Sequence, residues 1–236
     1  MRILAVGDVH GDVYMEPFRA KLSEAPTVDL VLLAGDMTER NDLELFGKVL
    51  GAVQAHTDAP IISVFGNEEW SESHAEYRRA FSITFLHDSV EVLDVGSGHI
   101  RLVGSTGSLD TPTWWQRTHL PNIYREYAAR VRSLDGLLAG DDYRILLTHY
   151  APTYRTLVGE GESWWDQMGS KRLEEVILRR RPELVIHGHA HKGSSYAELR
   201  TEQTTLADFT KERVIPVHNV AFPVKEDVTI LDIPGV

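Results

Sequence analysis

Five times along this chain a short apolar run breaks off into a cluster of Asp, Asn or His, and that repetition constrains the fold more than any other feature. Arg2 to Val6 ends in Gly7-Asp8-Val9-His10, Val28 to Leu33 in Gly35-Asp36, and Pro60 to Phe65 in Gly66-Asn67-Glu68. Tyr143 to Leu147 ends in Thr148-His149, and Leu184 to Ile186 in His187-Gly188-His189-Ala190-His191. Apolar, β-branched runs of this length read as buried strands. Between them lie stretches with apolar residues three and four apart: Tyr14 to Glu24, Leu43 to Ala55, Ile123 to Leu138, and Ser170 to Arg180, stopped by Pro182. Strands alternating with helices predict βαβ units and a largely parallel sheet. In such sheets ligands bind beyond the carboxyl ends of the strands. Five segments far apart in sequence are therefore predicted to meet at one site.

The remainder of the chain fits around that frame. Its 236 residues suit one α/β domain over 1–236, with loop insertions near 105–120 and 150–168. Val90 to Val95 and His99 to Val103 read as a hairpin turned at Gly96-Ser97-Gly98, and Val214 to His218 and Val228 to Leu231 as late strands. With no cysteine, disulfides, thiolate metal sites and a cysteine nucleophile are excluded. The apolar run before Asp8 is too short for a secretory signal. Leu30 to Ala34 falls far short of the roughly 20 apolar residues that span a bilayer, so the expectation is a cytoplasmic protein with no membrane attachment. The formal net charge of −11 opposes a broad nucleic-acid surface. The basic run Arg179-Arg180-Arg181 reads as a solvated helix end, where cations suit the dipole. Oligomeric state leaves no mark on the sequence.

Leaving His187 aside, the five clusters offer two Asp (Asp8, Asp36), one Asn (Asn67) and four His (His10, His149, His189, His191), a donor set that suits divalent first-row metals. Alternation along an extended segment would place Asp8 with His10 on one side, and His187 with His189 and His191. The neighbouring glycines let backbone approach without a Cβ in the way.

The order Asp-x-His, Gly-Asp, Gly-Asn, lone His, Gly-His-x-His resembles the calcineurin-like metallophosphoesterases, and the resemblance runs from Asp8 to His191. It implies an α/β fold, a β-sandwich of two mixed sheets flanked by helices (αββα), with the site at the strand ends. It implies that Asp8, His10, Asp36 and His191 hold one metal ion, that Asp36, Asn67, His149 and His189 hold another, and that Asp36 bridges. Manganese is the expected ion; iron, zinc, nickel and cobalt accept the same ligands. Two ions ~3.5–4 Å apart need a shared anion, and together they supply a metal-bridging hydroxide near neutral pH. The implied activity is hydrolysis of a small phosphoester, with Asp36 and Asn67 in the catalytic group; Glu68, next to Asn67, is read as its third member from its position and not from the resemblance.

One position departs from the family pattern. Where that pattern has His after the Asn, this chain has Glu68. A carboxylate with an ordinary pKa of about 4.3 is ionised at pH 7 and is a poor proton donor. It also repels a monoester dianion more than a diester monoanion, so a preference for phosphodiesters, or for good leaving groups, is expected. The alternative role for Glu68 is to orient a metal ligand from behind. Arg40, Tyr150 and His187 are candidates for substrate contact, and His74 is placed on a helix surface. Trp114-Trp115 and Trp164-Trp165, in loops over the strand ends, either anchor those loops or stack on a flat group of the substrate. A phosphomonoesterase of the same family is the nearest rival reading. From another class comes a non-catalytic metal-binding scaffold, which the complete ligand set opposes.

Overall fold

The sequence alternation becomes two stacked sheets in the computed structural model, which describes residues 1–95, 98–204 and 210–233. The first half of the chain supplies β1 (Arg2–Val6), α1 (Met15–Glu24), β2 (Leu30–Leu33), α2 (Leu43–His56), β3 (Ile61–Val64), α3 (His74–Ala80) and β4 (Thr84–Leu86). The middle supplies β5 (Ser89–Val95), β6 (Gly98–Ser105), α4 (Trp114–His119), α5 (Ile123–Leu137) and β7 (Tyr143–Thr148). The last part adds α6 (Lys171–Arg180), β8 (Leu184–His187), β9 (Tyr196–Thr204), β10 (Thr210–Asn219), α7 (Phe222–Lys225) and β11 (Thr229–Asp232). One sheet has the order β11-β1-β2-β3-β4 and the other β5-β6-β7-β8-β10-β9. Strands β1 to β4 run parallel, as do β6, β7, β8 and β10, while β11, β5 and β9 pair antiparallel at the margins.

Each central strand has two buried faces, which is why its sequence is apolar without a break. In β1, Ile3 and Ala5 face the gap between the sheets, where they join Leu32, Val64, Leu102, Leu147 and Ile186. Leu4 and Val6 point the other way, onto Phe18 and Leu22 of α1 and Phe46, Val49 and Val53 of α2. The second sheet is covered likewise by Leu134 of α5 and Leu173, Val176 and Ile177 of α6. Each such side chain contributes about 1.5–3 kcal/mol on leaving water. The result is the helix–sheet–sheet–helix layering that the family resemblance implied.

Two strands escaped the sequence reading. β4 is only three residues long and too short to show periodicity. β9 is a margin strand with polar residues such as Glu198 and Arg200, held by its register against β10. The turn residues Gly96 and Ser97 lie outside the described residues. The predicted insertions hold short helices: α4 begins with a reciprocal cap between Thr113 and Gln116, and 3-10 turns occupy Arg155–Leu157 and Glu162–Gln167. Among the described residues no helix is long and apolar enough to cross a membrane.

Candidate metal centre

All five polar clusters lie beyond the carboxyl ends of β1, β2, β3, β7 and β8, and they converge. The route differs from the predicted alternation. Past the strand ends the chain is not extended: Asp8, His10, Asp36 and His189 all have positive φ, at 57°, 50°, 50° and 71°. Left-handed non-glycine residues cost about 1–3 kcal/mol each and persist where surrounding structure imposes them. Each turn swings a side chain inward just after the strand stops. The two glycines that matter most are those of closest approach. A Cβ on Gly66 would lie 2.1 Å from Asp36 Oδ1, and one on Gly188 2.4 Å from Asp8 Oδ2.

Atoms able to ligate a metal ion fall into two groups, Asp8 with His10 and His191, and Asp36 with His149 and His189. In the first, His191 Nε2 is 3.0 Å from Asp8 Oδ1 and 3.3 Å from His10 Nε2. Asp8 Oδ2 also accepts from the His189 backbone N–H (2.9 Å), which ties the β1 loop to the β8 loop. In the second, His149 donates Nδ1–H to the Ala34 carbonyl (2.9 Å). That bond fixes the tautomer and leaves Nε2 with a lone pair. This Nε2 faces Asn67 Oδ1 at 3.0 Å and Asp36 Oδ2 at 3.4 Å. The Asn67 amide is held that way round because its Nδ2–H donates to Glu68 Oε1 (3.2 Å).

With Asp36 ionised, these three acceptors point at one another and repel unless a cation lies among them. The electrostatics agree. Burial pushes the Asp36 carboxyl well above its usual range, and the charges of Glu69 and Asp8 push the same way. Burial alone would raise Asp8, but the hydrogen bonds from His191 and from the His189 backbone N–H leave it lowered. Burial lowers His149 and drives His189 well down, so both imidazoles are neutral, the form that ligates metal. His10 is lowered by burial, and His191 is raised by its hydrogen bond to Asp8. Buried acids beside neutral imidazoles are a donor set with uncompensated negative charge, and it fits divalent ions.

Sequence reasoning passed over Glu69. It is 1% exposed, and its carboxylate accepts four backbone N–H groups: Gly66 (2.7 Å), Asp36 (2.9 Å), Met37 (2.8 Å) and Thr38 (3.3 Å). It binds the β2 loop to the β3 loop directly beneath Asp36 and Asn67. Burial pushes its carboxyl up to about 7 against the pull of those four donors. A second acid directly after Asn67-Glu68 was the available signal.

The remaining candidates have definite places. Glu68 Oε2 accepts from the Arg40 backbone N–H (2.7 Å), and Glu68 N–H donates to Asp36 Oδ1 (2.8 Å). Arg40 thus reaches the site through its main chain, with a left-handed φ of 51°. Tyr150 is buried, its ring 5.4 Å from that of His149 and 4.9 Å from that of His189. His187 turns away from the other two histidines of its motif. It is fully buried, with Nε2 2.8 Å from Thr156 Oγ1 and Nδ1 2.6 Å from the Gly188 carbonyl. It is the last residue of β8, so pleating sends it into the layer behind the site. His74 is not on a surface either. It stacks on Phe65 at 3.6 Å and sets Nε2 3.1 Å from the Glu69 carbonyl, because α3 packs down onto β3.

A sequence model of the calcineurin-like phosphoesterases matches residues 1–193. No curated protein sequence matches the chain. Among solved structures, phosphopantetheinyl hydrolase (PptH) from Mycobacterium tuberculosis is similar at 14% identity and a TM-score of 0.65, over 94% of this chain and 89% of that one. The protein TT1561 of Thermus thermophilus is similar at 15% identity and a TM-score of 0.53, over 98% of both chains. Identities this low carry the fold and nothing finer.

Proposed function

The chain belongs to the calcineurin-like phosphoesterase family, and from that premise we propose that it hydrolyses phosphoric esters at a pair of divalent metal ions, with phosphodiesters preferred. The observation that carries the reading is the convergence of His149 Nε2, Asn67 Oδ1 and Asp36 Oδ2 on one point, next to the matching group of Asp8, His10 and His191. Asp8, His10 and His191 would hold one ion, and Asn67, His149 and His189 the other, with Asp36 shared. When bound, two such ions activate water near neutral pH and draw charge from the phosphoryl oxygens.

The chain's own residues do the rest. Ala34 holds His149 in the ligating tautomer, and Glu68 holds the Asn67 amide oxygen inward. Asp36, pinned by the Glu68 and Glu69 contacts, supplies an anion that cannot rotate away. Glu68 occupies the place of the family's His as a fixed carboxylate, and its charge acts on His10 across the site. A fixed anion here opposes a dianionic monoester more than a monoanionic diester. It also offers no acid to the departing oxygen, which favours good leaving groups.

The test compares an aryl phosphodiester with the matching monoester on metal-stripped protein refilled with Mn²⁺. We expect kcat/KM for the diester to be at least about tenfold higher, equivalent to about 1.4 kcal/mol of transition-state discrimination. Glu68→Gln keeps an acceptor for Asn67 and removes the charge, so it should narrow that ratio, chiefly by improving the monoester. A wild-type enzyme faster on the monoester would end the electrostatic reading of Glu68 and leave the metal centre standing.

A further inference from the structure

Tryptophan carries the largest apolar surface of any residue, yet most of this chain's tryptophans face solvent. In the two Trp-Trp pairs, Trp114 is 68% exposed, Trp115 55% and Trp164 59%, while Trp165 is anchored by its Nε1–H to the Glu160 carbonyl. The loop-anchoring role therefore falls to Trp165, while the other three members of the pairs keep more than half of their surface in solvent.

Those three are fastened around the His149 side of the centre. The segment leading into α4 is tied to the Trp164 loop by Thr111 N–H to the Asp166 carbonyl (2.7 Å) and Asp110 N–H to the Gly169 carbonyl (3.0 Å). The Trp164 loop is tied in turn to the residue two past His149, through Ser170 N–H to the Ala151 carbonyl (3.1 Å) and Ala151 N–H to the Met168 carbonyl (3.3 Å). From α4, Gln116 donates Nε2–H to Tyr150 Oη (3.3 Å), and the Tyr150 ring lies 4.9 Å from that of His189. Gln116 points inward, so its helix neighbours Trp114 and Trp115 lie off that direction and stay in solvent. Trp115 stacks on His119 at 4.7 Å and 17°, which gives a flat platform.

Exposed aromatics on fastened loops beside a reaction centre are a binding surface rather than a packing accident. We infer that Trp114, Trp115 and Trp164 form a subsite for a flat aromatic group, such as a nucleobase, carried by the phosphodiester. This rests on the phosphoesterase reading above, and its occupant is the organic part of the same substrate. Loss of base–aromatic stacking corresponds to roughly 5- to 150-fold per base in affinity.

The test uses the full chain refilled with Mn²⁺ and the variant Trp114→Ala/Trp115→Ala/Trp164→Ala. Bis(p-nitrophenyl) phosphate and methyl p-nitrophenyl phosphate share a leaving group and differ only in the retained arm. The kcat/KM ratio of the first to the second is expected to fall about tenfold or more in the variant, through KM, and to recover with Phe at the three positions. An unchanged ratio would overturn the subsite and assign the patch to another partner. Calorimetry with methyl phenylphosphonate and dimethyl phosphate reads the same preference without turnover. An aryl preference lost in the variant, from a protein that turns over no ester, would keep the subsite and reject the phosphoesterase reading. Equal binding of the two ligands would reject the subsite alone.

Discussion

Asp36→Asn is expected to lower ester turnover in the Mn²⁺-refilled protein by at least about 10³-fold, the scale on which fixed electrostatic stabilisation acts. Bound metal should fall from two ions per chain to one or none by elemental analysis. The side chain is nearly isosteric, and the Glu68 N–H can still donate to its Oδ1, so the loss is one of charge and not of shape. The same variant carries a second expected result of opposite sign. Folding buries the Asp36 carboxyl beside Glu69 and Asp8 and raises its pKa well above 3.8. A carboxyl with a raised folded pKa supports the fold below its unfolded pKa, and that support is lost as pH climbs through the folded value. Metal-free wild-type protein should therefore lose stability from about pH 4 upward through the raised pKa. Metal-free Asp36→Asn should lack that component and melt higher at neutral pH. Thermal melts with and without chelator across pH check both. A metal-free variant that melts below wild type at every pH would contradict the buried-charge account.

The sequence carried the position of this centre because its information is local and repeated. Each polar cluster ends an apolar strand, and parallel strands put their carboxyl ends on one edge. What it could not carry was the geometry past the strand ends. Alternation is a property of extended chain, whereas Asp8, His10, Asp36 and His189 adopt left-handed turns. That is why His187 faces Thr156 and not the metal centre. His74 was misplaced for a related reason: its helix is about two turns long, too short to show which face is apolar, and its burial comes from Phe65 across the fold. Strand β9, with its polar residues, is specified by pairing with β10 rather than by its own pattern. The role of Glu68 divides the same way. Its charge was legible, but its grip on the Asn67 amide and the Arg40 main chain depends on two loops meeting.

Glu69 is where those loops meet, and its replacement should be the most damaging change outside the ligands themselves. Four buried N–H groups point at one carboxylate, two of them from Asp36 and Gly66, which carry or adjoin ligating side chains. An unsatisfied buried donor costs about 1–3 kcal/mol. Glu69→Ala strands all four and should unfold the loops or the chain. Glu69→Gln is the sharper variant. One oxygen can still accept, but the new NH₂ faces main-chain N–H groups and repels them, so the loops must separate by the width of at least one broken contact. The expected loss is about 2–4 kcal/mol of stability in urea unfolding. Affinity for the ion that Asp36, Asn67, His149 and His189 are proposed to hold should weaken by at least about tenfold, as changes behind metal ligands do. Amide exchange at Asp36, Met37, Thr38 and Gly66 should accelerate together, since one acceptor protects all four. Glu69→Asp keeps the charge on a shorter arm and should fall between the two. Metal affinity and exchange at wild-type values in Glu69→Gln would mean that the loops hold their shape without this carboxylate. The register of Asp36 against Asn67 would then be set by the Glu68 contacts with Asp36 and Arg40.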